Sequence, residues 1–336
     1  MAPELLNAGI GALLARIGHS DAGFECAVLA SGGNNRVVLV SAGGTRFVAK
    51  CYFREPAGCG RMQTEFQFLQ HARDTGLRCV PAPLALDSTS NIALYEFIDG
   101  RRLQPGELNV ELVLQAAKFF AALNSEGSRA AGRHLPNASD AAFSVTEAVE
   151  SVNLRIERLS SLQCDTTADR EAAAFIAQIA ATWTRMQDGI LRMTERPEEA
   201  IPQQWRCLSP SDFGFHNALV RSSGEVCFLD FEYAGWDDPA KMAGDFFAHP
   251  GLPVPHEHFE RFLAEAFAPF QDRNILADRA RALGALARMR WCCIVLNEFL
   301  PDIAQRRQFA DPGLDLEARK LQQLGKARQL FRLQEP

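Results

Sequence analysis

The feature that most constrains the fold is a short apolar hairpin set into an otherwise helical stretch of sequence. Ala218–Val220 and Val226–Leu229 have strand-like composition, and Ser223-Gly224 between them reads as a two-residue turn. A turn centred there puts Asn217 opposite Asp230, with Asp212 on the loop just before the first strand. One amide and two carboxylates are thereby expected at one end of a small ribbon.

The rest of the chain divides by periodicity. After an amphipathic helix over residues 4–17, strand-like runs at Phe24–Ala30, Arg36–Ser41, Arg46–Tyr52 and Ile92–Ile98 are separated by turns rich in Gly and Asn. Between the last two, Met62, Phe66 and Leu69 recur at helical spacing over Arg61–Asp74. After Gly100 the pattern is mostly helical, at about 108–125, 141–160, 168–196, 256–270, 274–300 and 314–334. This order predicts an α+β, two-lobed architecture: a small β-rich lobe with one helix over residues 1–98, and a larger, mainly helical lobe over 99–336. Tyr95–Gly100 is the expected connector.

Composition narrows the classes of function. The net charge of −6 falls entirely after residue 98, because residues 1–98 carry 8 basic and 8 acidic side chains. An acidic balance with no basic stripe argues against a nucleic-acid partner. No apolar run approaches the roughly 20 residues of a membrane span, and Met1-Ala2-Pro3-Glu4 lacks the basic start of a signal peptide. A cytoplasmic location is expected. The nine cysteines, scattered without a C-x-x-C, suit buried free thiols in a reducing compartment. Oligomeric state is not legible.

Two further segments bear on chemistry. Ser31-Gly32-Gly33-Asn34-Asn35 joins two strands, and glycine there lets backbone amides approach phosphates. Gly43-Gly44 sets a hairpin register that places Lys50 opposite Val37, beside that loop. A lysine inside the apolar run Phe47–Tyr52 calls for an anionic partner; Glu65 and a triphosphate both fit. At the hairpin over 218–229, one carboxylate and one amide oxygen (Asp230 and Asn217) suit Mg²⁺, which leaves Asp212 to accept a proton from a hydroxyl.

Asp212-Phe-Gly-Phe-His-Asn217 followed by Leu229-Asp230-Phe-Glu-Tyr-Ala-Gly resembles the catalytic and metal motifs of the aminoglycoside phosphotransferase and choline kinase-like family. The resemblance spans about residues 25–250 and implies a protein-kinase-like fold. It also implies ATP and Mg²⁺ as cofactors and a small-molecule hydroxyl as phosphate acceptor. It makes Asp212 the catalytic base and Asn217 and Asp230 the metal ligands. Nucleotide contacts would come from Gly32, Gly33, Asn34 and Asn35, from Lys50 paired with Glu65, and from the hinge residues Glu96, Phe97 and Ile98. Asp237-Asp238-Pro239 and Gly244-Asp245-Phe246 resemble a further family region whose carboxylate is chiefly structural. The family's usual His-Gly-Asp is here Pro210-Ser211-Asp212, lacking the histidine that normally braces the loop. Glu232 after Asp230-Phe231 is usual for this family and argues against a protein substrate.

The acceptor is expected beside Asp212, with Glu232, Trp236, Asp237, Asn297 and Glu298 as lining candidates, and His216 as a loop-packing residue. Pro210 keeps a second reading open, a catalytically weak or inactive kinase-like nucleotide-binding module. A serine or cysteine hydrolase has little support, since no G-x-S-x-G elbow occurs.

Overall fold

The computed structural model describes residues 3–20, 23–29, 33–54 and 60–332. Helix α1 spans Pro3–Arg16, and strands β1 (Phe24–Val28), β2 (Arg36–Ala42) and β3 (Thr45–Cys51) follow. Helix α2 (Arg61–Asp74) precedes β4 (Pro83–Asp87) and β5 (Ile92–Glu96). The five strands form one antiparallel sheet in the order β1-β2-β3-β5-β4.

Alternation along the strands decides which helix each side chain meets. Val38, Val40, Phe47, Ala49 and Leu94 share a core with Ile10, Leu13 and Leu14 of α1. Tyr52, Ala93 and Tyr95 face the other way, into the core that holds Phe68 and Leu69 of α2. Lys50, between Ala49 and Cys51, therefore turns toward α2 and the larger lobe. Strand β4 is not among the expected strands; Pro83 opens it at the edge of the sheet, where its missing N–H breaks no ladder.

The larger lobe holds α3 (Val110–Leu123), α4 (Glu126–Ala131), α5 (Val145–Ser160) and α6 (Thr167–Leu191). Two small ribbons follow, β6 (Cys207–Ser209) with β9 (Gly235–Asp237), and β7 (Ala218–Val220) with β8 (Val226–Phe228). The chain closes with α7 (Pro239–Ala248), α8 (Phe259–Ala266), α9 (Arg273–Leu296), α10 (Pro301–Ala310) and α11 (Leu316–Arg332). Helices α5 and α6 start on reciprocal caps, Ser144 with Glu147 and Thr166 with Asp169. Asp238 caps α7 ahead of Pro239. The single helix expected over 274–300 ends at Leu296, and α10 starts afresh at Pro301. Cys292 and Cys293 are buried free thiols within α9, while Cys59 lies outside the described residues.

The hairpin register differs by one residue from the expected one. Ala218 pairs with Phe228 and Val220 with Val226. Arg221 N–H donates to the Glu225 carbonyl at 2.9 Å, and Gly224 has φ 85°. The loop is thus three residues, Ser222–Gly224, closed by a left-handed glycine. Asn217 consequently faces Leu229 rather than Asp230, and its carbonyl accepts the Leu229 N–H at 2.8 Å.

Candidate active site

Each of the two hairpin aspartates precedes a buried phenylalanine that fixes it. Phe213 packs on Phe119, Phe228 and Phe246 with ring centroids 5.7, 5.0 and 4.9 Å away. Phe231 stacks on Phe68 of α2 at 5.3 Å, and its N–H donates to Glu65 Oε1 at 3.3 Å. Burying such a ring stabilises by about 1.5–3 kcal/mol, enough to seat the preceding residue. Asp230 itself has φ 67°, a strained backbone for a residue with a Cβ.

Lys50 joins the lobes at this point. Its Nζ lies 2.6 Å from Glu65 Oε2 and 2.5 Å from Asp230 Oδ1. Glu65 Oε2 also accepts the Tyr52 hydroxyl at 2.6 Å, and Tyr52 in turn bonds Tyr95 at 2.6 Å. Burial works against the Lys50 charge, but Asp230, Glu65 and Glu232 outweigh it and hold the ammonium well above its ordinary pKa. Burial, with Glu232 and Glu65 alongside, pushes Asp230 up to about 7 despite Lys50. Glu65, Asp230 and Glu232 bring carboxylate oxygens within 4.8 Å of one another.

Asp212 is held from the other side. Asn217 Nδ2 donates to its Oδ2 at 3.1 Å and to its backbone carbonyl at 3.0 Å. His216 Nε2 and His249 Nε2 each lie 3.3 Å from Oδ1. Burial raises the Asp212 pKa, yet His216 and His249 overcome it and keep the carboxyl well below the usual range. In the shifted register the bond from Leu229 N–H to the Asn217 carbonyl sets Asn217 opposite the residue that precedes Asp230.

The glycine-rich loop is described from Gly33 onward; Gly32 lies outside the described residues. Asn34 and Asn35 turn their amides into Glu232, at 2.9 and 2.7 Å. Both Glu232 oxygens are thus engaged, and the residue is 1% exposed. Glu232 fastens the loop rather than facing an acceptor, which corrects the expectation for it. Lys50 pairs with Val37 in the expected register. Of the residues expected to form a hinge, Glu96 ends β5, with its carboxylate on Ala82 N–H at 3.0 Å and on Arg73 at 3.3 Å. Phe97 lies beneath the Arg46 guanidinium at 4.2 Å, and Ile98 is buried.

Asp237 is fully buried and accepts Lys241 Nζ at 2.7 Å and the N–H groups of Asp238 and Ala142 at 2.9 and 3.2 Å. Trp236 donates its indole N–H to the Gly132 carbonyl at 3.1 Å. Both side chains are taken up by the scaffold, and burial removes Asp237 from the groups an acceptor could touch. Asn297 lines a cavity of about 480 Å³ with Asp140, Glu150 and Arg155. Glu298 is buried between Arg307 and Arg319, at 2.6 and 3.0 Å.

Sequence reasoning missed Arg307 and His249. Arg307 reaches from α10 to Asn34 Oδ1 at 3.0 Å, and Phe309 of the same helix packs against Phe53 at 5.4 Å. Neither residue belongs to a motif, and no periodic signal marks either one.

A small antiparallel lobe and a helical lobe meeting at Lys50, Glu65 and Asp230 define the protein-kinase-like class of fold. The chain belongs to the phosphotransferase enzyme family, whose model matches residues 25–241. Among solved structures it is similar to a choline kinase from Cryptosporidium parvum Iowa II, at 12% identity and TM-score 0.59, covering 98% of this chain and 97% of that one. It is also similar to a spectinomycin phosphotransferase in complex with ADP and spectinomycin, at 12% identity and TM-score 0.61, covering 99% of each. Choline kinase LicA from Streptococcus pneumoniae aligns at 14% identity and TM-score 0.58, covering 98% of each. Comparison with curated proteins yields no match. Among the described residues no helix is long and apolar enough to cross a membrane.

Proposed function

We propose that the protein transfers the γ-phosphoryl group of ATP to a hydroxyl of a small molecule, with the lobes meeting near residues 98 and 99. The observation that carries this reading is one unbroken run of contacts. Glu65, Lys50 and Asp230 are joined at 2.6 and 2.5 Å, and Asn217 ties the neighbouring Leu229 to Asp212. These contacts support a reading in which two carboxylates, an amide and an ammonium act together, as phosphoryl transfer requires.

The residues fit a magnesium ion. Three carboxylates crowd within 4.8 Å, and Asp230 is driven toward protonation there, so the site favours added positive charge. Asn217 gives its amide nitrogen to Asp212, so its oxygen is the atom that would meet a cation beside Asp230. When bound, magnesium would neutralise phosphate charge. Lys50 would hold the phosphates, and Asp212 would orient the acceptor hydroxyl and take its proton. Gly33, Asn34 and Asn35 would cover the phosphates, with Glu96, Phe97 and Ile98 beside the nucleotide base. Asn297 remains the candidate on the acceptor side, since Arg307 and Arg319 take up the buried Glu298, and the acceptor class is a sugar, an aminoglycoside or an amino alcohol.

The test is ATP consumption, with magnesium, against a panel of those three classes. Acceptor-dependent ADP release that disappears in Asp212→Asn is expected. Thermal stabilisation by MgATP with no consumption across the panel would instead support the inactive nucleotide-binding module that Pro210 suggests.

A further inference from the structure

Pro210 leaves the loop before Asp212 without its usual bracing histidine, yet Asp212 is not left loose. His249, the residue that follows α7, brings Nε2 to 3.3 Å from Asp212 Oδ1. Its ring lies flat against His216, with centroids 3.5 Å apart and planes 4° from parallel. Trp291 closes the other side, edge-on at 4.2 Å. The His249 side chain is 11% exposed.

The tautomer of His249 follows from its second nitrogen. Gly251 N–H donates to Nδ1 at 2.9 Å, so Nδ1 carries no proton. A neutral imidazole then bears its hydrogen on Nε2, the atom that faces Asp212. Burial and the adjacent His216 lower the His249 pKa, which favours that neutral form. Gly251 also makes room for the stack: a Cβ there would stand 2.6 Å from His249 Cε1 and 2.8 Å from His216 Cβ. His216 Nε2 stands at the same 3.3 Å from Oδ1, and no other partner meets its ring nitrogens among the described residues. It serves as the wall against which His249 is held.

We propose that His249 is the positioning residue for Asp212, replacing from α7 the brace missing at Pro210. The inference rests on the reading of Asp212 as the base. Its Nε2–H holds Oδ1, and Asn217 holds Oδ2 through a single amide. Each carboxylate oxygen has two lone pairs, so Oδ2 keeps one for the acceptor's proton. At 3.3 Å the contact to Oδ1 is long; such bonds tighten when substrate completes a site.

The experiment compares His249→Phe and His249→Gln with the parent protein. Phenylalanine keeps an aromatic ring in the stack but donates nothing, whereas the glutamine amide can donate. Turnover is followed with MgATP and the best acceptor of the panel, or with water as acceptor. In His249→Phe, kcat is expected to fall about 10- to 100-fold with KM for ATP unchanged. His249→Gln should recover a substantial part of that loss. A full rate in His249→Phe, or a glutamine variant as slow as the phenylalanine one, overturns the proposal. Long-range proton–nitrogen spectra of the free protein supply a readout independent of turnover. They should show His249 neutral with its proton on Nε2; a proton on Nδ1 contradicts the inference even if the parent proves inactive. Absent turnover in the parent would instead count against the proposed function.

Discussion

Lys50 Nζ lies 2.5 Å from Asp230 Oδ1, although 180 residues separate the two along the chain. That bond ties the third strand of the sheet to the hairpin of the helical lobe. Lys50 is also the cation that Glu65 and Glu232 share with Asp230. Replacing it with methionine leaves Asp230 and Glu65 without their ammonium, and Arg61, 3.8 Å from Glu232, as the remaining nearby cation. Lys50→Met is expected to destabilise by about 3–5 kcal/mol at pH 8, as removal of one partner of a buried pair does. Its elevated pKa means the stabilisation is fully present at pH 8 and is lost only above the ordinary lysine range. Toward pH 5 the deficit should shrink, because the carboxylates can then take up protons. Chemical denaturation at both pH values checks this.

Asp230 carries a different sign. Its carboxyl titrates near 7 in the fold and near 3.8 in the unfolded chain. The native state therefore holds the extra proton between those values, and stability falls as pH rises through them. Asp230→Asn removes that loss. The variant is expected to melt higher than the parent at pH 8, with the difference closing toward pH 4. It should also lose magnesium-dependent stabilisation by ATP. A lower melting temperature at pH 8 would show that the ion pair outweighs the crowding.

Arg307 is the link that α10 adds to the glycine-rich loop. It touches Asn34 at 3.0 Å, and a Cβ on Gly33 would come within 2.4 Å of its Nη1. The tip of a flexible side chain can yield, so Gly33→Ala should displace Arg307 rather than unfold the lobe. Arg307→Ala alone is expected to destabilise by about 1–3 kcal/mol. In the Gly33→Ala background the same substitution should have a smaller effect. Additive effects in a double-mutant cycle would show that the two do not share this contact.

Asp237 tests the boundary between scaffold and site. Its carboxylate is enclosed with Lys241 at 2.7 Å. Asp237→Ala leaves that ammonium in the buried cluster of Asp245 and Arg290 without its nearest partner. A loss of about 3–5 kcal/mol is expected, with KM for the acceptor unchanged. A selective rise in KM with stability retained would return Asp237 to the acceptor site.

These contacts show what kind of information a sequence carries. Lys50 opposite Val37 was legible because a Gly-Gly turn sets a register that counting can extend. Helix α2 was legible over Arg61–Asp74 because one face of it must be apolar. The neighbouring hairpin slipped by one residue because Ser223-Gly224 fits both a two-residue turn and the end of a three-residue loop. Local composition does not separate the two. Glu232 reads as an acceptor-lining candidate because its partners Asn34 and Asn35 lie nearly 200 positions earlier. His249 and Arg307 had no local signal at all. Their roles come from where α7 ends and where α10 passes, which only tertiary packing decides.

The most direct test concerns Asp212, whose carboxylate meets Asn217, His216 and His249 at 3.1, 3.3 and 3.3 Å. Asp212→Asn keeps the side chain's shape and removes its ability to take a proton. With MgATP and an acceptor found in the panel, kcat should fall by about 10²- to 10⁴-fold while thermal stabilisation by MgATP is retained. An asparagine variant that phosphorylates the acceptor at the parent rate would contradict the account.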